Sequence, residues 1–600
     1  MAEAFRPSDE PAGVSQPPSL RRASLIVASL IALGVQDIVT CPGSRNAPLL
    51  YVAAAAEAAG LVRLHPRSDE RSAAFVALGL SLGSGHSPVA VTTTSGTAVA
   101  NLHPAMLEAA YAGVPIVALT ADRTAAQRAG GANQSVRQSG IFGPDIETTF
   151  IDIEAAEFDA SDALRDRLGA AAGVATGVGP IHLNVEFAEP LVPATGGEPD
   201  SGRGIDPIAD LTALLRRDLA AITARWRAAE ASTAAEPSDA DASRHLGLGA
   251  DDRAALDVTG TDRTLVVAGS GADPRVAELC VAQGWPLIAE IVAGAGPGPH
   301  RVTDYRRMLD EGLAGASGAA PGSLVDAVEQ VIVFGRPTLS RQVSRLIAET
   351  PGRVIAVGQQ PGGISRVFDP ALRADAKYRA LPHEWLAPAP MSPRRSSWLR
   401  AWTSAPVTDR GGDVAAVVTV PDPGAAAVRQ VLAAAQAGDA IVLGPSRVVR
   451  HADQCEVADG VTVYSNRGVS GIDGVVSTAI GVALTDRFGS VRAVMGDLTF
   501  LHDMGGLQLG RGVRQPNLQI VVVNDDGGTI FSTLEHGEVA RRHPAARDVV
   551  AQLLTTPASA DIELLCQAMG VRHSRDLARE LANPLPGVTV IEVSADAPFS

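Results

Sequence analysis

The sequence predicts an α/β chain built from three Rossmann-like parallel-sheet units, on three observations. Short apolar runs recur along its 600 residues, each closed by glycine, proline or a polar turn. Stretches of helical length stand between them, and this alternation implies parallel sheets flanked by helices. A single hydrophobic core rarely organises more than about 250–300 residues, so a chain of this length divides into several domains.

Residues 1–20 are rich in Pro, Ser and Glu and read as a loose tail. Arg21-Arg22 ahead of Ala23–Val35 imitates a secretion signal. No small-residue cleavage site follows, and the stretch runs into Gln36-Asp37 and a strand-like Ile38-Val39-Thr40, so a buried first helix closed by Gly34 is expected. Strands are expected at Asp37–Cys41, Leu61–His65, Pro88–Thr93, Pro115–Thr120 and Pro180–Val185, with helices at Glu70–Leu82 and Ala98–Ala110. These fill a first unit, residues 21–200. Residues 201–260, with the Ala/Ser/Asp/Glu segment Ala228–Ala255, read as a linker and exposed helix.

A central unit, 261–400, opens at Thr264–Gly269 and continues through Val331–Phe334 and Val354–Val357. Its Gly269-Ser270-Gly271 reads as a tight strand–helix turn; a dinucleotide site needs a longer glycine-rich turn and a downstream acidic ribose partner. The Pro/Ser/Arg stretch Ala387–Ser397 precedes a third unit, 401–600. Its strands are expected at Ala440–Gly444, Val461–Tyr464, Val491–Gly496, Leu518–Val523 and Val588–Val593. The first and third units read as relatives of one sheet topology.

A net charge of −16 disfavours nucleic acid or an anionic membrane as partner. An anionic substrate would need a locally basic pocket. Lys377 is the one lysine, leaving 49 of the 50 basic residues as arginine. Isolated arginines therefore carry little information, and only those inside longer motifs count. Cys41, Cys280, Cys455 and Cys566 lie far apart with no CxxC spacing, as expected of reduced thiols in a cytoplasmic protein. No apolar run reaches transmembrane length.

Chemistry shows most strongly in the third unit. Strand Val491–Met495 ends in Gly496-Asp497-Leu498, and Leu518–Val523 ends in Asn524-Asp525-Asp526-Gly527-Gly528. Open parallel sheets bind ligands beyond the carboxyl ends of their strands. Two such ends carrying oxygen ligands and glycine can hold a hard divalent cation, and magnesium on a diphosphate takes one or two side-chain oxygens besides phosphate. Either turn alone is an ordinary Asp/Gly turn; the pairing carries the signal. It resembles the thiamine-diphosphate signature, in which Gly-Asp-Gly is followed about one βαβ unit later by Asn-Asn. Leu498 stands where that signature has its last glycine, and Asp525 where it has its second asparagine.

The resemblance implies that Asp497, Asp525 and the Gly527 carbonyl hold Mg2+ or Mn2+, with Gly496 and Leu498 beside the cofactor. It also implies that a first-domain glutamate of one subunit meets the aminopyrimidine held by the third domain of another, which requires at least a dimer. Glu70, in Arg67-Ser68-Asp69-Glu70-Arg71, is that candidate, and Thr94 and Gly96 in Thr93–Ala98 accompany it. An acidic residue in a helix's first turn is common on its own account; the metal motif gives this one its meaning.

Longer motifs resemble one family, the 2-succinyl-5-enolpyruvyl-6-hydroxy-3-cyclohexene-1-carboxylate synthases. They are Cys41-Pro42-Gly43-Ser44-Arg45-Asn46-Ala47-Pro48-Leu49, Thr94–Leu102, Leu119-Thr120-Ala121-Asp122-Arg123, Gly131-Ala132-Asn133-Gln134, and Tyr464-Ser465-Asn466-Arg467-Gly468 leading into Ser470–Gly474. The resemblance implies a thiamine-diphosphate-dependent transferase of menaquinone biosynthesis that joins 2-oxoglutarate to isochorismate with loss of carbon dioxide, as a homodimer or homotetramer. It places Ser44, Arg45, Arg123, Asn133, Gln134, Ser446, Arg450 and Arg467 in the substrate pocket, with Ile530 and Phe531 as apolar walls. Ile472 would prop the cofactor, flanked by Ser470 and Gly471. Arg341 matches a basic position of the central domain, whereas Gln342 stands where the family has the next one. Another thiamine-diphosphate 2-oxoacid decarboxylase or an acetolactate-type synthase would share the metal motif and the glutamate without needing so many arginines. A noncatalytic relative would have lost Glu70 or Asp497, and both are present.

Overall fold

The computed structural model describes residues 15–146, 148–152, 165, 179–194, 206–233, 258–314, 323–358, 367–369, 371–404, 422–558 and 560–595. Its apolar runs assemble into three sheets. The first contains β1 (Asp37–Thr40), β2 (Arg63–Pro66), β3 (Val89–Thr93), β4 (Ile116–Asp122), β5 (Thr148–Ile151) and β6 (Ile181–Glu186), in the order β2-β1-β3-β4-β6-β5. The second contains β7 (Thr264–Ala268), β8 (Leu287–Ala289), β9 (Gln330–Phe334), β10 (Arg353–Val357) and β11 (Ala376–Tyr378), ordered β11-β10-β9-β7-β8. The third contains β12 (Ala440–Leu443), β13 (Thr462–Tyr464), β14 (Val491–Gly496), β15 (Leu518–Asn524), β16 (Arg572–Ser574) and β17 (Val588–Ser594), ordered β13-β12-β14-β15-β17-β16. Neighbouring strands in all three pair in parallel.

Counted from its own first strand, the first sheet has the same order as the third, as the sequence predicts. In each sheet the strand order reverses direction beside its first strand, the doubly wound pattern that opens a crevice beyond the strands' carboxyl ends. Every residue of β3, β4, β7 and β9 is buried. Strands covered by helices on both faces need no polar alternation, which is why they read as continuous apolar runs.

The chain forms two compact units. One comprises 1–109, 114–237 and 509–514, and the other 110–113, 238–508 and 515–600. In the first, the helix Pro18–Ala32 is buried along Leu20–Leu30 and ends before Gly34, whose φ of +90° suits glycine. The signal-like stretch is thus core, as expected. Against it lies a helix over Pro207–Thr233, which puts Leu211, Leu215, Ile222 and Trp226 into the same apolar cluster as Ile26 and Leu30. Ser24 Oγ donates to Asp218 there at 2.6 Å. A segment read as linker and exposed helix therefore has one face in the core; its remainder, 234–257, lies outside the described residues. The helix expected over Ala98–Ala110 is two, Thr97–Asn101 and His103–Ala112. Pro104 has no N–H to continue the first, so the chain restarts there.

In the second unit, Ser392 caps a helix over Pro393–Thr403, accepting from the Arg395 N–H at 3.0 Å. This helix sends Trp398 and Trp402 into the central sheet's core, and the Trp398 indole donates to the Thr264 carbonyl at 2.8 Å. The Pro/Ser/Arg stretch thus holds a helix start with serine as cap and proline in the first turn. A Cβ on Gly269 would run into the backbone of Arg336 and Pro337, as a tight turn after β7 demands.

Within this unit a buried carboxylate joins the central and third sheets. Asp453 accepts from the Ile291 N–H at 2.8 Å, the Tyr305 hydroxyl at 2.5 Å and the Arg306 guanidinium at 2.5 Å. No described helix is long and apolar enough to cross a membrane, and no disulfide forms among the described residues.

Candidate active site

The third sheet's crevice opens between β12 and β14. After β12 the chain passes through Gly444-Pro445-Ser446 into the helix Arg447–Ala452, and after β14 directly into the helix Asp497–His502. A cavity of about 190 Å³ lies here, lined by Ser446, Ile472, Gly496, Asp497, Leu498, Asp525, Gly527, Ile530 and Phe531 among others. All nine are site residues expected from the sequence.

Asp497 is 3% exposed. Its Oδ1 accepts from the Leu498 N–H and its Oδ2 from the Gly527 N–H, both at 2.8 Å. Burial pushes its carboxyl up to about 6, with Asp525 and Asp526 adding to the rise and the two N–H donors opposing it. Asp525 is also raised by burial, against the Thr529 hydroxyl and Arg447, which lies at 3.1 Å. Gly527 has a φ of +122°, and a Cβ there would run into the Thr555 carbonyl. Two buried carboxylates, one of them disfavoured by the other's charge and held by backbone N–H groups alone, fit a divalent cation that would neutralise both. No three His, Cys, Asp or Glu side chains converge among the described residues, so phosphate and water would complete the shell.

The approach to the helix Val475–Ala483 is sharply bent. Ser470 has a φ of +61°, a Cβ on Gly471 would run into the Asp473 carboxylate, and Gly474 is left-handed. The fully buried Asp503 accepts from the N–H and hydroxyl of Ser477 at 2.7 and 3.1 Å, tying down that helix start. Ile472 is the side chain this bend contributes to the cavity.

Two of the arginines expected from the sequence in this unit, Arg450 and Arg467, meet at one loop. Arg467 donates to the Pro445 carbonyl at 3.2 Å and to the Thr338 hydroxyl at 2.6 Å, while Arg450 donates to the Ser446 carbonyl at 2.7 Å. Thr338 leads through Leu339 and the cap Ser340 to Arg341, the first residue of the helix Arg341–Glu349. Burial lowers the Arg450 pKa, and the nearby charges of Arg306 and Arg341 lower it further. Ser446, Arg341, Arg450 and Arg467 thus form one basic region. Gln342 pairs with Asp310 at 3.0 Å and adds no charge to it.

In the first unit the expected residues follow the ends of β1 to β4. Asp69 caps the helix Glu70–Gly83 by accepting from the Ser72 N–H at 2.9 Å, which fixes Glu70 at the helix start. The Glu70 Oε2 accepts from Asn101 at 3.3 Å. Gly96 has a φ of +84°, and a Cβ there would come within 2.8 Å of the Gln134 side chain. Arg123 donates to the Ser95 hydroxyl at 2.6 Å and the Gln134 carbonyl at 3.1 Å, and Gln134 donates back to the Ser95 carbonyl at 3.1 Å. A Cβ on Gly43 would run into Thr94, so the loop Cys41–Arg45 lies against this same turn. Arg45 is engaged by the Phe187 carbonyl and by Glu189, each at 2.9 Å, and a substrate carboxylate would have to share it. Ser44 and Asn133 are exposed on their loops.

Sequence reasoning missed Arg447, Asp422 and Gln138. Arg447 bridges Asp525, the Thr529 hydroxyl and Asp422 at the cavity wall, with 2.6 Å to the latter two. Its place directly after Ser446 was the available signal, masked by the abundance of arginine. Gln138 gave no signal beyond following Gln134.

Two doubly wound sheets, one offering a glutamate at a helix start and the other a carboxylate pair beside a glycine turn, define an enzyme of the thiamine-diphosphate class. The family model for the thiamine pyrophosphate enzyme N-terminal TPP binding domain matches residues 21–141, which include Glu70, Thr94, Gly96 and Arg123. A 2-succinyl-5-enolpyruvyl-6-hydroxy-3-cyclohexene-1-carboxylate synthase of Nocardioides sp. is 38% identical over 612 residues, covering 97% of this chain and 96% of that protein. Synthases of the same name from Kineococcus radiotolerans and Nocardia farcinica are each 38% identical, over 94% and 96% of this chain and 92% and 96% of their own lengths. The chain belongs to the 2-succinyl-5-enolpyruvyl-6-hydroxy-3-cyclohexene-1-carboxylate synthase family.

Proposed function

We propose that this enzyme decarboxylates 2-oxoglutarate and joins the remaining four-carbon unit to isochorismate, giving 2-succinyl-5-enolpyruvyl-6-hydroxy-3-cyclohexene-1-carboxylate and carbon dioxide in menaquinone biosynthesis. One observation carries the reading to this chain: Arg450 and Arg467 are fixed on the carbonyls of Ser446 and Pro445 beside the carboxylate-pair cavity that Ser446 lines, and Arg341 lies near enough for its charge to act on Arg450. Both substrates carry two carboxylates, and guanidinium groups fixed by backbone carbonyls are suited to hold them in a site of low dielectric.

Thiamine diphosphate, when bound, supplies the nucleophilic carbon that adds to the ketone and takes up the electron pair released with carbon dioxide. The chain's own residues do the rest. Asp497, Asp525 and the Gly527 carbonyl would hold Mg2+ or Mn2+ against the diphosphate. Ile472 would support the cofactor beside Ser470 and Gly471, and Gly496 and Leu498 would border it. Glu70 would hold a proton on its carboxyl in a hydrogen bond to the aminopyrimidine. Thr94 and Gly96 would face that ring, while Ser44, Arg45, Arg123, Asn133 and Gln134 orient substrate. Ile530 and Phe531 would exclude water from the reacting centre. The reading includes a homodimer or homotetramer, and domains at 21–200, 261–400 and 401–600.

The test is carbon dioxide release from 2-oxoglutarate with thiamine diphosphate and magnesium, with and without isochorismate. Fast release only with the acceptor, together with a coupled product by mass spectrometry, is the expected result. Fast release without acceptor would make the protein a decarboxylase, and no release in either arm would overturn the substrate assignment.

A further inference from the structure

Behind the turn that carries Gly96 runs a chain of buried polar side chains. Thr120, His182, Asn184 and Gln138 are each at most 1% exposed. Burial pushes the His182 pKa down to about 3, so its ring is neutral and one nitrogen must accept. The contacts then admit one direction. The Thr148 hydroxyl donates to Nδ1 at 3.0 Å, and Nε2–H donates to the Thr120 hydroxyl at 2.8 Å. Thr120 passes its own proton to the Asn184 carbonyl oxygen at 2.7 Å. Asn184 donates to Asp122 at 3.0 Å, and Asp122 accepts from the Arg123 N–H at 2.8 Å.

Gln138 closes this chain onto the site. Its amide nitrogen donates to the Asn184 carbonyl oxygen at 2.6 Å and to the Ala121 carbonyl at 3.2 Å. Its oxygen accepts from the Gly96 N–H at 3.0 Å. Reversing the carboxamide would set an NH2 group against that N–H, so the orientation is fixed by its partners. A fully satisfied buried network of this kind holds one geometry, and one lost member leaves several groups unpaired.

We propose that Gln138 is a positioning residue: its carboxamide fixes the segment carrying Asn133 and Gln134 against the Gly96 turn and the β4 end that presents Arg123. The proposal rests on the substrate-binding reading of Arg123, Asn133 and Gln134. Gln134 stands at a φ of +62°, a backbone conformation that surrounding contacts must sustain, and its carbonyl is also a partner of Arg123. Gln138 touches no substrate in this scheme; it acts through the residues that do.

The test compares the full-length wild type with Gln138→Met, which keeps the side chain's length and removes its three hydrogen bonds. Hydrogen exchange read by mass spectrometry is expected to quicken about tenfold or more over residues 94–97 and 131–139, with β3 and β4 unchanged. KM for both substrates is expected to rise about tenfold, with kcat falling less. Affinity for thiamine diphosphate with magnesium, read by fluorescence quenching, should fall less than the two KM values rise, because the diphosphate end rests on the third sheet and only Thr94 and Gly96 lie in the loosened turn. A residue that only stabilised the fold would lower the melting temperature and leave both KM values alone. KM values within about twofold of wild type, or unchanged exchange, would overturn the proposal. Should Gln138→Met not fold, wild-type exchange decides: slow exchange at the Gly96 amide supports the lock, and rapid exchange there refutes it. A wild type without synthase turnover would sink the substrate reading alone, and the exchange arm would still judge the lock.

Discussion

Glu290 offers a charge whose removal should stabilise the protein. Its side chain is 1% exposed; Oε1 accepts from the Leu339 N–H at 2.6 Å, and Oε2 has no hydrogen-bond partner among the described residues. Burial pushes its carboxyl from 4.5 up to about 7, with Asp453 adding to the rise and the backbone N–H groups of Leu339 and Thr338 and the charge of Arg467 opposing it. Between those two values the folded state binds more protons than the unfolded state, so stability falls as pH rises through that window. At about 1.36 kcal/mol per pH unit, the loss above pH 7 comes to about 3 kcal/mol. Glu290→Gln keeps the acceptor for Leu339 and removes the ionisation. It also leaves a buried NH2 group, which costs about 1–2 kcal/mol. The variant should therefore be more stable than wild type by about 1–2 kcal/mol at pH 8 and no more stable at pH 5. Urea unfolding of the cofactor-free proteins at both pH values measures this. A gap of equal size at both pH values, or a variant weaker at pH 8, would refute the reasoning.

Glu70→Gln should retain cofactor binding and lose about 100-fold or more in turnover, measured as carbon dioxide release; near-normal turnover would remove Glu70 from its role. Asp497→Ala should weaken magnesium and thiamine diphosphate binding together in calorimetric titrations, and unchanged cofactor affinity would undo the metal assignment. Asp453→Ala strips a buried carboxylate from Arg306, Tyr305 and the Ile291 N–H, at a cost of about 3–5 kcal/mol. Denaturant melts read that cost, and a loss below about 1 kcal/mol would show that the clamp contributes little.

The sheet cores were the most legible part of the sequence, because strands buried on both faces must be continuous apolar runs. Their ends drifted by a residue or two, as at β2, expected over Leu61–His65 and found at Arg63–Pro66. Helix starts were read less well where proline sets them, at Pro104 and Pro393. In the site, Asp497, Asp525 and Gly527 were legible from two paired strand-end turns and the signature they resemble, and the three line one cavity. Gln138 was not, since its partners lie 17 to 46 residues away and only folding brings them together. Asp453 belongs to the same class, tied to residues 147 to 162 positions distant. Arg447 was hidden differently: among 49 arginines its identity alone distinguishes nothing.

The first and third sheets share one strand order, and with it one opening beside the first strand. That opening is a property of the path the chain takes, independent of the side chains that furnish it. On the proposed function, one copy is furnished for handling a proton and the other for gripping an anion through a cation. Leu498 and Asp525 are part of the furnishing of the second and line its cavity. On that same reading, a single substitution in the second opening would change what it grips while the bed, set by the chain's path, stays where it is, and the first opening need not follow.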